Sequence, residues 1–345
     1  MASDNKLDND EVALYDRQIR LWGIAAQARI RDAKILLINF GPLGAEVAKN
    51  IVLSGVGLLR ILDHHKVVEE DLGFQFFLSK EDVGEWRVKA AQSRLHEMNP
   101  RTKLEIDKEA LDDKDKGYFS YFDLIVATDC TKTQLQKLNE ITRSIGVPLY
   151  AAGLHGLFGY IFVDLIKFDA TEERLHDVNT PDTQKKVLSD RRELIRVEKR
   201  RDEEEKKEYE VLTTRNTYKP FGKMLEEASL VGKLTNRQIK KLQNALPLML
   251  ASFSFDSKWD GVSLDDFKSA VKATCLKLGA VYENVTEEYI QAFLDQAGVD
   301  FVPVAAVVGG ALSQDVINVL GKKQSPLNNF IVLDGITLDM QIFEL

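Results

Sequence analysis

Residues 34–63 set a strand, a glycine turn, a helix, a second strand and an acid in immediate succession. Lys34-Ile-Leu-Leu-Ile-Asn39 is a continuous apolar run too short for a helix. Phe40-Gly-Pro-Leu-Gly44 follows it, then a helix-like stretch from Ala45 to Ser54 and a second apolar run from Leu58 to Leu62, closed by Asp63. This order is the βαβ unit of a nucleotide-binding α/β fold.

The alternation continues downstream. Trp86 to Met98 reads as a helix, Lys103 to Ile106 as a short strand and Phe122 to Thr128 as a buried strand. Gln134 to Ile145 reads as a helix and Pro148 to Ala152 as another strand. Strands that do not alternate in polarity, separated by helices, predict a mostly parallel sheet covered on both faces. Gly159 to Ile166 is one more apolar run, expected to lead out of this core. Upstream, Asp10 to Ala33 carries Leu14, Ile19, Leu21, Ile24 and Ala28 at roughly helical spacing, with arginines between them.

The composition then shifts. From Lys185 to Glu210, 19 of 26 residues are charged, ten of them basic and nine acidic. Composition predicts a solvated helix or a disordered insertion here. Lys199-Arg-Arg, near Arg191-Arg192, offers a nuclear import signal as an alternative. Phe221 to Ala297 reads as helical, with a capping box at Ser263 and an N-cap at Thr286. Val304 to Leu320 reads as a buried helix and Asn329 to Gly335 as a returning strand. The expected division is 1–33 as a helical arm, 34–167 as the first part of the core, 168–300 as a charged and helical insertion, and 301–345 as the return to the core.

Length and charge bound the function. A chain of 345 residues suggests about two domains, or one large domain with insertions. A net charge of −8 argues against a general nucleic-acid binder. Cys130 and Cys275 lie far apart with no CxxC or Cys/His spacing, so neither a zinc ribbon nor a disulfide framework is expected. The acidic start and the lack of long uninterrupted apolar windows predict no signal peptide and no membrane span.

A phosphate-cradling turn needs glycines for close backbone approach and free N–H groups at the helix start. Here Asn39 stands at the first glycine position, Pro42 removes a donor, and Glu46 adds negative charge to the first turn. As a nucleotide binder the turn is poor. Asp63 remains placed to accept from ribose hydroxyls. The five histidines have no metal spacing, and no metal site is expected.

Several stretches together resemble the ubiquitin-like-modifier activating enzymes and the ThiF/MoeB adenylylating enzymes. They are Tyr15-Asp-Arg-Gln-Ile-Arg-Leu-Trp-Gly23, Ala26-Gln27, Leu62-Asp63, Glu70-Asp-Leu-Gly-Phe-Gln-Phe76, Asp82-Val-Gly84 and Met98-Asn-Pro100. Pro303-Val-Ala-Ala-Val-Val-Gly-Gly310 and Pro326-Leu-Asn-Asn-Phe-Ile-Val-Leu-Asp-Gly335 complete the set. The resemblance implies a Rossmann-like α/β adenylation fold interrupted by the insertion. Without a catalytic-cysteine domain, it is similar to the small subunits of SUMO-activating enzymes.

In that family the modifier's C-terminal carboxylate attacks the α-phosphate of ATP, and a cysteine then takes the acyl group. The resemblance implies that a catalytic large subunit (Uba2-type), in an obligate heterodimer, supplies most of the ATP and Mg2+ site and the cysteine. SUMO and a SUMO-conjugating enzyme would be further partners, with nuclear residence. Position by position, Asp63 and Asp129 are retained as vestigial nucleotide-site acids. Phe74 stands where a phosphate-binding arginine is expected, Arg87 lies nearest the expected lysine, and Cys130 replaces an asparagine. Arg17 matches the arginine that reaches across the dimer to the partner's nucleotide phosphates, a role its fixed, always-charged fork suits. Arg20 is a weaker candidate, which would instead pair with acids of the partner. A self-sufficient homodimeric adenylyltransferase and a non-catalytic nucleotide-binding scaffold are the competing readings.

Overall fold

The computed structural model describes residues 7–176, 183–202, 207–256, 259–322 and 324–345. Strand β1 (Lys34–Ile38) pairs in parallel with β2 (Leu58–Leu62) and with β4 (Leu124–Thr128). β3 (Lys103–Asp107) extends the parallel run beyond β2, and β5 (Leu149–His155) extends it beyond β4. The sheet continues through β6 (Phe158–Asp164), β11 (Phe330–Asp334) and β12 (Asp339–Phe343), all antiparallel, giving the order β12-β11-β6-β5-β4-β1-β2-β3.

The Gly159–Ile166 run therefore stays in the core. It turns back after Gly156-Leu157 and pairs antiparallel along β5, with all seven residues of β6 buried. A fully apolar strand identifies burial on both faces but not strand direction, which the short turn decides.

Alternate residues of the sheet feed two cores. Ile35 and Leu37 face the layer made by α3 (Ile24–Asp32), α4 (Pro42–Leu53), α5 (Arg87–Met98) and the long α13 (Val302–Gly321). Leu36 and Ile38 face the opposite layer. That layer holds α6 (Lys116–Phe119), α7 (Lys132–Ile145) and α8 (Phe221–Glu227). It continues through α10 (Ala245–Ser252), α11 (Leu264–Leu278) and α12 (Glu287–Leu294), with the one-turn α9 (Asn236–Ile239) between α8 and α10. Ser263 and Thr286 cap α11 and α12 as their sequence predicts. α13 has the length and composition of a membrane span, yet it packs on α4, α3, β5 and β6. Its buried Asp315 takes a 2.6 Å hydrogen bond from the Tyr150 hydroxyl on β5.

The charged segment is neither a helix nor coil where it is described. β7 (Lys167–Leu175), β8 (Lys186–Ser189), β9 (Arg192–Asp202) and β10 (Lys207–Thr217) form an antiparallel sheet in the order β7-β10-β9-β8. Opposite charges facing across strands hold it: Arg215 is bidentate with Asp169 at 2.8 and 2.7 Å, and Arg174 meets the buried Glu210 at 2.6 Å. Composition alone hides this pairing. The Lys199-Arg-Arg cluster lies within β9.

The arm is three short helices, α1 (Asn9–Leu14), α2 (Asp16–Trp22) and α3, broken at Tyr15 and at Gly23. Tyr15 is buried and anchors the arm: its hydroxyl accepts from Asn99 Nδ2 at 2.9 Å, and its ring fills the space beside Gly55. Gly55 has φ +81°, and a Cβ there would lie 2.5 Å from the Tyr15 ring. Gly55→Ala is therefore expected to lower the unfolding free energy by about 2 kcal/mol or more, from left-handed strain plus overpacking. Chemical denaturation measures it, and a loss within the error of the method would contradict this anchoring of the arm.

Candidate functional site

The parallel strands end at a cavity of about 300 Å³, where such sheets bind their ligands. The glycine turn forms one wall. Asn39 adopts φ +65°, a left-handed conformation that asparagine tolerates, so it substitutes for glycine in backbone shape. Its side chain donates to Thr128 O at 2.7 Å and ties the turn to β4. Gly44 is irreplaceable in a different way, since a Cβ would lie 2.4 Å from Asn39 O. Pro42 opens α4 at its first position, three residues earlier than the helix read from sequence, where a missing N–H costs the helix nothing. Glu46 pairs with Lys49 on the same helix. Gln75 Nε2 donates to the Phe40 and Gly41 carbonyls and closes the turn from below.

Asp63 is fully buried, and both of its oxygens are in use. Oδ2 accepts from Phe40 N at 2.7 Å. Oδ1 accepts from His65 N at 2.6 Å and meets His65 Nδ1 at 2.8 Å. Burial alone would raise its pKa, but the His65 and Phe40 hydrogen bonds outweigh this and hold it below the usual aspartate value. Asp63 thus fastens the turn and is not among the cavity-lining residues. Asp63, His64 and His65 bring three donor atoms within 4.8 Å. Both Asp63 oxygens of this group already accept hydrogen bonds from the protein.

Asp129, also at positive φ, does line the cavity. Its Oδ1 accepts from Leu154 N at 3.1 Å. Asp129 is exposed at the cavity wall; desolvation of its carboxyl there, with the charge of Asp300 added, pushes its pKa up to about 7. Asp300, in the exposed link before α13, is shifted upward by desolvation, which outweighs the lowering by the Arg87 charge. Arg87 at the start of α5 is held bidentately by buried Asp71, at 2.9 and 2.7 Å. Phe74 adds no charge.

Three carboxyls therefore face one guanidinium that is already paired. The lining His155 adds no charge, since burial pushes it down to about 4 and it is neutral at pH 7. The phosphates of a nucleoside triphosphate need spare cations and donors here, and the one lining guanidinium is already paired, so the residues present do not fit them.

The cysteines are no better suited to catalysis. Cys130 is buried, with its thiol pushed up to about 12 by burial and then by Asp129. Cys275 is buried, with its thiol pushed up to about 11. A protonated, inaccessible thiol is not a nucleophile.

Arg17 is exposed on α2 and makes no ion pair or side-chain hydrogen bond among the described residues. Its neighbour Gln18 donates to Leu53 O at 3.1 Å, at the C-terminal end of α4. The glycine turn lies at the other end of that 12-residue helix, about 18 Å away. Arg17 cannot reach the cavity of its own chain. Arg20 is held by Asp16 one turn earlier, at 3.0 Å.

Sequence reasoning did not single out Asp71, although it lies in a stretch quoted above, nor Asp300, Trp259, Phe253 and Tyr160. Asp300, Trp259 and Phe253 come from segments remote from the turn, and nothing local in the sequence marks them.

The raised pKa of Asp129 carries a signed prediction. Between pH 4 and pH 7 the folded chain holds a proton there that the unfolded chain has lost, so this group's contribution to stability falls as pH rises. The Tm of Asp129→Asn minus that of the unmodified chain is expected to grow from pH 4 to pH 7 and then level off. A pH-independent difference in thermal scans would contradict the assignment.

The ThiF family model matches residues 15–345. The chain is 49% identical to the DNA damage tolerance protein RHC31 of Saccharomyces cerevisiae, over 98% of both chains. It is 32% identical to the DNA damage tolerance protein rad31 of Schizosaccharomyces pombe, over 96% of both. It is 30% identical to the human SUMO-activating enzyme subunit 1, over 95% of this chain and 93% of the human one. With the α/β architecture and the glycine turn in place, this chain belongs to the ThiF family.

Proposed function

We propose that the chain is the small, non-cysteine subunit of a SUMO-activating enzyme and works as one half of a heterodimer. The observation that carries this reading is the separation of Arg17 from a cavity unsuited to nucleotide. The fold keeps the glycine turn, but its acids repel phosphate and its arginine is spoken for. An unpaired arginine is meanwhile presented at the opposite end of α4. In this reading Arg17 is donated in trans to the phosphates of a nucleotide held with Mg2+ by a cysteine-bearing large subunit, where a fixed positive charge stabilises departing pyrophosphate. SUMO adenylation and thioester formation take place on that partner, which also receives the conjugating enzyme. Nuclear residence belongs to the same reading.

Surface chemistry supports a partner-covered face beside Arg17. Leu21 is 80% exposed, and Ile24 on α3 and Val307 on α13 are about half exposed. Gln18, Trp22 and Gly310 line one shallow depression there. α13 serves two surfaces: Ala305 and Gly309 are buried in the core, whereas Ala306 and Val307 face outward. Obligate interfaces bury apolar strips of this kind.

The test is ATP–pyrophosphate exchange with SUMO present. The chain alone is expected to be silent and the chain with its large subunit active. Arg17→Ala is expected to lose activity on the order of 10³-fold at unchanged complex yield. Exchange by the chain alone would instead support the homodimeric adenylyltransferase.

A further inference from the structure

Helix α2, which carries Arg17, buries none of its seven residues, so the packing of its own side chains does not hold it. A helix of about two turns is also too short to persist by itself. Its moorings are polar and lie at the C-terminal end of α4, where the last carbonyls of a helix find no partner within it. Gln18 Nε2 donates to Leu53 O at 3.1 Å, and Gln27 Nε2 on α3 donates to Ser54 O at 2.9 Å. Gln27 also reaches back to α2, where its Oε1 accepts from Trp22 Nε1 at 2.9 Å. An indole N–H only donates and a carbonyl only accepts, so the orientation of the Gln27 amide is fixed at both ends. Gln27 is completely buried, and its two bonds join α2, α3 and α4 across the bend at Gly23, which has φ +86°. An apolar side chain could fill this space, but a buried and fully paired amide specifies one arrangement of the three helices.

We propose that Gln27 is a positioning residue for Arg17: through Trp22 and the end of α4 it holds α2 in one orientation, so that the Arg17 guanidinium projects in one direction. The proposal rests on the reading of Arg17 as acting in trans. Tyr15 and Asn99 hold the start of α2, and the Trp22–Gln27 bond holds its end. Arg17 lies between these two anchors, and the second prevents α2 from swinging about the first. A charge that stabilises a departing group must be in place before the reaction, and a misplacement of about 1 Å costs up to about a hundredfold in rate.

A double-mutant cycle in the assembled complex tests this, with ATP–pyrophosphate exchange in the presence of SUMO as the readout. Gln27→Met, of similar volume, removes both bonds. It is expected to lower kcat about tenfold, with KM for ATP and for SUMO and the complex yield unchanged. In an Arg17→Ala background the same substitution is expected to cost nothing further, because it acts only through Arg17. A further loss of about tenfold in that background, or no loss in the unmodified one, overturns the proposal. Hydrogen exchange of the isolated chain gives a second readout. The Ile19 and Gly23 amides, bonded to Tyr15 O and Ile19 O, are expected to exchange at least about tenfold faster in Gln27→Met, with the core strands unchanged. Unchanged exchange at these two amides overturns the proposal as well. Should Gln27→Met fail to fold, Trp22→Phe, which removes the indole donor and leaves the bond to Ser54 in place, runs the same cycle. Arg17→Ala without effect overturns the reading of function, and the positioning role with it. An impaired Arg17→Ala beside an unimpaired Gln27→Met overturns the positioning role alone.

Discussion

One buried carboxylate fixes the shape of the site. Asp63 closes β2 with both oxygens committed, one to Phe40 N in the glycine turn and the other to His65. A buried charge without such partners would be prohibitively costly, so the turn and the acid hold each other in place. Asn39 completes the arrangement by taking a left-handed backbone and spending its amide on β4. The turn keeps the contour of a phosphate loop, with the Asp63 carboxylate and the Asn39 amide already bonded within the protein.

At the far end of α4 from the cavity, α2 presents Arg17 to solvent. Tyr15, two residues earlier, supplies the rigidity: its buried ring and its bond with Asn99 fix the start of α2 while Arg17 stays exposed. α13 binds the two ends together. It packs along α4 on one side and offers Ala306 and Val307 outward on the other, so the helix that completes the core also shapes the surface near the arm.

Much of this was legible in the sequence. The parallel strands announced themselves because burial on both faces leaves continuous apolar runs, and β2 matched its reading residue for residue. Pro42 was legible as a missing donor, whereas Glu46, expected in the first turn, lies beyond it because α4 starts at Pro42, and it pairs with Lys49. Strand direction was not legible: Gly159 to Ile166 has the same pattern whether it leaves the sheet or folds back along β5. Nor was the charged ribbon, whose stability comes from pairs such as Arg215 with Asp169, 46 residues apart. Asp300 and Trp259 carry no local signature, because only the closing of the insertion over the strand ends brings them to the cavity. Arg17 was visible through its motif alone, and its separation from the home cavity needed the structure.

On the proposed reading, the nucleotide fold of this chain no longer holds nucleotide. Equilibrium dialysis of the isolated chain against ATP with Mg2+ tests it most directly. The account predicts no saturable binding. One-to-one binding with the affinity of an ordinary nucleotide site would contradict it, and would mean that the acids of the cavity coordinate a metal instead of repelling phosphate.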